Sequence, residues 1–194
     1  MPTVYLMRHG HVDNPDAIFN HETVPLSQRG REQVEEAIRW FHSFGCPIRT
    51  VASPFLRTQQ TAELITSSCG MVHETDPRLE EWRVGPYLGR PLVEFYAATH
   101  YDQDPPPSVL PPEIEPLETM AERVIEVIRE VIVEIAPTII VSHREPMVTA
   151  ILRLQGKDFS TVHQVAFQMG DVWKVEFDDQ NVFQQAEAVF ASNE

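Results

Sequence analysis

Two arginines and two histidines, in three separate segments of the chain, have the residue types needed for phosphoryl-transfer chemistry. Arg8 and His9 follow one short apolar run, Arg57 comes shortly after a second, and His143 follows a third. Two guanidinium groups bind a phosphoryl group well, because their forked donors match its oxygens. An imidazole can act as a nucleophile or as a hydrogen-bond donor near neutral pH. The sequence indicates this chemistry if the fold brings these side chains together.

The apolar runs before these residues are predicted to be strands of one sheet. They cover residues 3–7, 50–53 and 138–141, and the last run is apolar without alternation, which is typical of a strand buried on both faces. Ligands of such α/β sheets bind beyond the carboxyl ends of the strands. We therefore expect Arg8, His9, Arg57 and His143 to share one edge of the sheet.

Helical segments alternate with these strands. Ser27 is the predicted N-cap of a first helix, a second runs from the turn at Ser53-Pro54 to about Gly70, and another follows His143. In LETMAERVIEVIREVIVEI, helical spacing predicts a buried face made of Met120, Val124, Val127, Ile128, Val131 and Ile135. The pattern favours an α/β fold, a three-layer α/β/α sandwich with a mostly parallel central sheet, in one domain over residues 1–194.

The remaining segments carry weaker signals. Residues 72–74 are consistent with a short strand, and the alternating segments near the carboxyl terminus predict hairpin strands. Residues 102–116 contain six prolines, which excludes a regular helix or a central strand. We expect a stiff surface loop there, and the alternative is a wall or lid over the site.

Composition narrows the expected partners and location. The formal net charge of −14 argues against nucleic acids and anionic membranes, because both attract basic surfaces. No apolar run approaches the roughly 20 residues that cross a bilayer, and no basic segment of a signal peptide precedes Arg8. Cys46 and Cys69 match no zinc spacing and are expected to be reduced thiols, with a disulfide between them left open. We expect a cytoplasmic protein that takes a small phosphorylated substrate; whether it forms a homodimer stays open.

Several motifs resemble, in order, those of the histidine phosphatase superfamily, the phosphoglycerate mutase-like family. LMRHGHVDN resembles its RHG signature, PLSQRGREQ its PLT-x-x-G-x-x-QA stretch, and ASPFLRTQQTAE its SPL-x-R-A-x-QTA motif. RLEEW followed by Gly89 resembles its L-x-E and glycine segment, LETMAERV its ES-x-x-x-x-R helix start, and VSHREP its VSHGG. The matches run from residue 4 to about residue 150, and the chain is similar to the phosphatase branch.

The resemblance implies a role for each matched residue. His9 would be the nucleophile that is transiently phosphorylated, while Arg8 and Arg57 would hold the phosphoryl oxygens. His143 would donate to the same group and stabilise its charge in the transition state. Glu81 would protonate the leaving group and later help to activate water. No metal and no other cofactor is implied, because the arginines supply the positive charge.

Three assignments depend on details that the motifs leave open. Asn14 matches an asparagine that follows RHG in many members and is expected near the phosphate. The acid could be Glu80 rather than Glu81, since a slip of one residue exchanges them. Arg144 stands where the family has glycine, and it either points outward into solvent or reaches a second anionic group of the substrate.

The resemblance implies a phosphoric monoester hydrolase, namely a metal-independent phosphatase that hydrolyses small phosphomonoesters through a phosphohistidine on His9. The alternatives are a phosphoglycerate mutase-type isomerase, a protein phosphohistidine phosphatase and a pseudo-enzyme that binds phosphorylated ligands without turnover. Mutases of the family are generally longer, so a chain of 194 residues is closer to the phosphatases.

Overall fold

The computed structural model of the protein describes residues 1–43, 45, 49–133 and 137–192. Its helices are α1 (Gln28–His42), α2 (Leu56–Ser68), α3 (Leu92–Thr99), α4 (Leu117–Ile132) and α5 (Arg144–Leu154). Its strands are β1 (Thr3–Arg8), β2 (Arg49–Ala52), β3 (Glu74–Thr75), β4 (Thr138–Ser142), β5 (Val172–Phe177) and β6 (Phe183–Phe190).

The strands form one mixed sheet in the order β3-β2-β4-β1-β5-β6. The pairings among β3, β2, β4 and β1 are parallel, and β5 and β6 extend the sheet beyond β1 in antiparallel pairs. At the carboxyl edge, Arg8 of β1 is in register with Ser142 of β4, and Ala52 of β2 is in register with Val141. The mostly parallel sheet that the sequence predicts is confirmed, and its carboxyl edge collects the ends of three strands.

Helices cover both faces of the sheet and create three layers. On one face, α4 and α5 pack in a core that contains Val4, Leu6 and Ile140. On the other face, α1 and α2 pack in a core that contains Met7 and Ile139. Neighbouring residues of a strand point to opposite faces, so β1 and β4 contribute to both cores. The predicted α/β/α sandwich is confirmed.

The periodicity of α4 places its apolar face in the core. Four of its predicted core residues are no more than 1% exposed, namely Met120, Val124, Val127 and Ile128, and Val131 is 2% exposed. Burying a side chain of this size contributes about 1.5–3 kcal/mol relative to leaving it in water. Ile135, the last residue of the predicted face, lies outside the described residues.

Two local predictions need correction. The short edge strand β3 begins at Glu74 rather than at Val72, which is 87% exposed. Cys69, which follows α2, is disulfide-bonded in the structure, so the expectation of a reduced thiol is wrong there, and Cys46 lies outside the described residues. Helix α3 was not expected, because its eight residues are too few to display helical periodicity clearly.

Two glycines allow the loop after β1 to approach the start of α1. A Cβ atom on Gly10 would lie 2.4 Å from the carbonyl oxygen of Gly30, and one on Gly30 would lie 2.1 Å from that of His11. Ser27 caps α1 by accepting from the N–H of Gly30, and its own N–H donates to the carbonyl of His11. This close contact holds the residues after β1 against the end of a rigid helix.

The proline-rich segment 102–116 has irregular backbone, as predicted. Much of it borders a groove of about 280 Å³ that also contains Phe159 and Ser160. The described cavity that contains His9 is lined by residues outside this segment. The segment is therefore a surface loop, and the alternative of a wall over the site is not supported. Among the described residues, no helix combines the length and the apolar composition needed to cross a bilayer.

Candidate active site

Arg57 connects the two histidines at the carboxyl edge of the sheet. Its Nε donates to Nε2 of His9 over 3.1 Å, and its Nη2 donates to Nδ1 of His143 over 3.1 Å. Its Nη1 donates to the carbonyl of His21 over 3.1 Å, and its Cζ lies 4.8 Å from the ring centroid of Phe55. With 2% of its surface exposed, Arg57 is fixed between the two imidazoles.

The donors of Arg57 determine the tautomer of each histidine. Because a guanidinium group can only donate, Nε2 of His9 and Nδ1 of His143 are both acceptors. The other nitrogen of His9, Nδ1, therefore carries the proton and donates to the carbonyl of Gly10 over 2.7 Å. Likewise, Nε2 of His143 donates to Oγ of Ser53 over 2.9 Å. His9 thus has its lone pair on the nitrogen that faces Arg57.

Burial keeps both imidazoles neutral. His9 is 4% exposed and His143 is fully buried. Burial lowers the pKa of each side chain well below 6.5, and the positive charge of Arg57 lowers both pKa values further. Since only the neutral imidazole has a lone pair on its second nitrogen, His9 retains at neutral pH the lone pair that a nucleophile needs.

Glu81 faces the histidines, whereas Glu80 faces away. Oε2 of Glu81 lies 3.4 Å from Nδ1 of His143 and 3.7 Å from Nη2 of Arg57. The carboxylate of Glu80 instead lies 3.5 Å from Nη2 of Arg83 and does not line the cavity that contains His9. The structure therefore brings Glu81 into the site and does not bring Glu80 there.

The environment of Glu81 favours its protonated form. Burial raises the pKa of this carboxyl above 4.5, and the negative charge of Glu145 raises it further. The nearby positive charge of Arg57 and the backbone N–H of Trp82, which donates to Oε1 over 2.9 Å, act in the opposite direction. The net effect is a carboxylic acid that holds its proton to higher pH than an ordinary glutamate.

A buried arginine holds the loop that carries Glu81. The guanidinium of Arg123 donates to the carbonyls of Arg78, Glu80 and Glu81 over 2.6, 2.7 and 3.2 Å. It also forms a bidentate pair with Glu115, with distances of 2.7 and 2.9 Å. These five contacts, three to carbonyls of the loop and two to Glu115, restrict where Glu81 can lie.

Two positioning residues, Ser53 and Arg123, were not predicted from the sequence. Ser53 fixes the ring of His143 across 90 residues of sequence, and Arg123 fixes the backbone of Glu81 across 42. Both residues lie within quoted motifs, ASPFLRTQQTAE and LETMAERV. The motifs were therefore a signal for both residues, but neither contact can be derived from local periodicity.

Arg8 and Asn14 both line the cavity of the site. Nη1 of Arg8 donates to the carbonyl of Phe167 over 2.8 Å, and its buried Nε has no hydrogen-bond partner among the described residues. The amide of Asn14 donates to the carbonyl of Ile18 and accepts from its N–H over 2.9 and 3.1 Å. Arg8 thus has an unused donor, whereas Asn14 stabilises its own loop, and its phosphate contact stays a prediction.

Arg144 is anchored beside the same cavity. Its Nη1 lies 2.8 Å from Oε1 of Glu145, and its Nη2 donates to the carbonyls of Val162 and Val165 over 3.0 and 2.9 Å. The side chain is only 19% exposed, so the alternative in which Arg144 points outward into solvent is not supported. Both terminal nitrogens have protein partners, and a substrate contact of Arg144 stays a prediction.

The cavity that joins these groups has a volume of about 280 Å³. One part contains the side chains expected to handle phosphate, namely Arg8, His9, Arg57 and Glu81. Another part is an aromatic wall, which we define as Phe19, Trp82, Phe95, Tyr96 and Tyr101. The unexpected helix α3 supplies two residues of this wall, Phe95 and Tyr96, so it shapes one side of the cavity.

Comparison with known sequences identifies a family. The family model described as the histidine phosphatase superfamily (branch 1) matches residues 4–187. A probable phosphoglycerate mutase, GpmB, from Yersinia pestis (strain Pestoides F) is 34% identical over 98 residues, which are 47% of this chain and 43% of that protein. The match thus spans less than half the length of this curated relative.

Solved structures with a similar fold cover almost the whole chain. Bacillus stearothermophilus YhfR has a TM-score of 0.83 at 19% identity, with 94% of each chain covered. The mycobacterial glucosyl-3-phosphoglycerate phosphatase Rv2419c has a TM-score of 0.83 at 18% identity, with 100% of each chain covered. A phosphoserine phosphatase from Entamoeba histolytica, in complex with 3-phosphoglyceric acid, has a TM-score of 0.79 at 16% identity, covering 100% of this chain and 98% of that one. At these identities the likeness establishes the fold.

Proposed function

Because the chain belongs to the histidine phosphatase superfamily, branch 1, we propose that it is a metal-independent phosphatase that hydrolyses small phosphomonoesters through a phosphohistidine on His9. The observation that carries the proposal is the single guanidinium of Arg57 between Nε2 of His9 and Nδ1 of His143. This arrangement combines a neutral nucleophile and a fixed cation at one point, which is what phosphoryl transfer requires.

In the first step, Nε2 of His9 attacks phosphorus in line with the bond to the leaving oxygen. The new N–P bond forms as the P–O bond breaks, and the electron pair of that bond stays on the leaving oxygen. Glu81 transfers its proton to this oxygen, and its raised pKa supports that role. Arg8 and Arg57 neutralise the charge on the transferred phosphoryl group.

In the second step, water attacks the phosphorus of phospho-His9. The carboxylate of Glu81, which lost its proton in the first step, accepts a proton from the attacking water. The N–P bond breaks, the ring nitrogen regains its lone pair, and inorganic phosphate leaves. His143 takes part as a donor once it is protonated, because in the neutral form its Nδ1 accepts from Arg57. A bound phosphate dianion beside it favours that protonation.

The test is phosphate release from an activated aryl phosphate in the presence of EDTA. We expect the wild-type protein to release phosphate and His9→Ala to release none, while His42→Ala, which changes an exposed histidine, retains activity. Single-turnover samples quenched in alkali, where the N–P bond of phosphohistidine is stable, should contain a phosphorylated protein in the wild type and none in His9→Ala. Activity that persists in His9→Ala, or that EDTA abolishes in the wild type, would contradict the proposal.

A further inference from the structure

Tyr101 has an unused hydrogen-bonding group beside the catalytic cavity. The residue is 3% exposed and it lines the cavity. Its phenol oxygen is buried, and within the described part of the chain it has no hydrogen-bond partner. Buried hydroxyl groups are nearly always paired, because an unpaired one loses its contacts with water without replacement. The free phenol oxygen therefore needs an explanation.

The phenol lies among charged groups that belong to the cavity. The charged and titratable groups that act on it include Glu145, Arg144, Tyr96 and Glu81, and all four line the same cavity. Burial raises the pKa of Tyr101 above 10, and the carboxylate of Glu145 raises it further. The hydroxyl keeps its proton throughout the neutral range, so it is available as a donor.

The charges near Tyr101 indicate which chemical group it can serve. The negative charge of Glu145 affects the phenol more than the positive charge of Arg144 does. Both terminal nitrogens of Arg144 are also engaged, one by Glu145 and one by backbone carbonyls. Because the terminal nitrogens of Arg144 are already engaged, a second anionic group would lie beside the carboxylate of Glu145 without a free guanidinium nitrogen of Arg144 to bind it, whereas an uncharged oxygen would not be repelled.

We propose that Tyr101 determines specificity by donating a hydrogen bond to an uncharged oxygen, a hydroxyl or a carbonyl, on the leaving group of the phosphate ester. The rest of the leaving group packs against the aromatic wall, and Glu145 disfavours leaving groups that carry a carboxylate. The inference rests on the proposed function, because that function assigns the phosphoryl group to the side of the cavity with the histidines.

The experiment measures binding rather than turnover, so that the two proposals can fail independently. The probes are benzylphosphonate and its derivatives with a hydroxymethyl or a carboxylate group at the meta or para position, none of which can be hydrolysed at the P–C bond. Calorimetry with the wild type should rank at least one hydroxymethyl compound above its carboxylate counterpart. Tyr101→Phe should weaken that compound about 10-fold, the value of one hydrogen bond, and leave benzylphosphonate nearly unchanged.

Thermal unfolding separates this role from a structural one. Since Tyr101→Phe removes an unpaired buried hydroxyl, we expect an unchanged or higher Tm. The matched control is Tyr87→Phe. Tyr87 packs against Phe95 but does not line the cavity, so this variant should leave all affinities unaltered.

Three results would overturn the inference. The first is an equal loss of affinity for all probes in Tyr101→Phe, the second a wild-type preference for the carboxylates, and the third a lower Tm without a change in affinity. If aryl phosphate hydrolysis fails while the binding pattern appears, the proposed function fails and the assignment of Tyr101 stands.

Discussion

The side chains of Glu80 and Glu81, one position apart in the chain, have different ionic partners. The carboxylate of Glu81 lies 3.4 Å from Nδ1 of His143, whereas that of Glu80 lies 3.5 Å from Arg83. Adjacent side chains of an extended segment point in opposite directions, so only one of the pair can face the site. The two residues therefore form a natural pair of test and control variants.

Glu81→Gln should slow alkyl phosphates far more than an activated aryl phosphate. An alkoxide needs a proton as it leaves, and general acid catalysis contributes about 10²–10⁴-fold, whereas a stabilised phenolate leaves without that help. The measurement is kcat/KM for one ester of each kind in both glutamate variants. Glu80→Gln should retain wild-type values for both esters, and a selective loss in that variant would assign the acid to Glu80.

Glu145→Gln should move the alkaline limb of the pH profile to lower pH. If Glu81 is the acid, activity on an alkyl phosphate should fall as pH rises through the pKa of Glu81, and Glu145 contributes to the elevation of that pKa. Removing this negative charge lowers the pKa of Glu81, so the fall begins at lower pH. The measurement is kcat/KM against pH for the wild type and the variant with the same substrate. Ionisation of the substrate phosphate then affects both profiles equally and does not contribute to the difference between them. An unmoved limb would show that Glu145 does not influence the acid.

At the level of secondary-structure elements, α4 supports the site from outside it. Its Arg123 holds the carbonyls of Glu80 and Glu81 and pairs with Glu115, which precedes the helix. In this way a helix on one face of the sheet determines the position of a loop at the sheet's edge. A guanidinium group, with several donors in a fixed planar arrangement, can bind these carbonyls and Glu115 at once, whereas the single ammonium group of a lysine cannot.

Arg123→Met should destabilise the protein by about 3–5 kcal/mol, because it leaves the carboxylate of Glu115 buried and unpaired. The double variant Arg123→Met/Glu115→Gln removes that charge and should recover most of the loss in urea denaturation. Its turnover of alkyl phosphates should stay low, because the loop of Glu81 still lacks its donors. Full activity in a stable double variant would contradict the positioning role of Arg123.

At the scale of the whole molecule, the free energy of unfolding depends on pH, because two histidines at the sheet edge are neutral in the folded state. Burial lowers the pKa of His9 and of His143 well below 6.5 in the folded state. In the unfolded chain, both take up a proton as pH falls through about 6.5, while the folded state does not follow until lower pH. Folding is therefore opposed increasingly as the solution becomes acidic.

The free energy of unfolding should fall between pH 7.5 and 5.5, with up to about 1.4 kcal/mol per pH unit from each of the two histidines. His9→Asn should reduce this slope, and His42→Asn, at an exposed position, should retain it. The measurement is urea denaturation at both pH values in buffers without phosphate, which would bind the folded state. An unchanged slope in His9→Asn would show that His9 titrates alike in both states.

The sequence by itself determined the order of the strands and of the longer helices, and it determined the main residues at the sheet's edge. Hydrophobic periodicity is a local property, so it was sufficient to predict α4 and the buried strand β4. The rule that ligands bind at the carboxyl ends of parallel strands then placed Arg8, His9, Arg57 and His143 at one edge. Ordered motifs added Glu81 and indicated the family.

Only the tertiary structure decided how these residues face one another. The bridge of Arg57 between two imidazoles, the choice of Glu81 over Glu80 and the anchoring of Arg144 all depend on contacts between distant segments. The aromatic wall depends on α3, which is too short to be recognised from its own pattern. Local sequence limits the backbone conformation of each segment, but the distances between side chains of different segments follow from the packing of the whole chain.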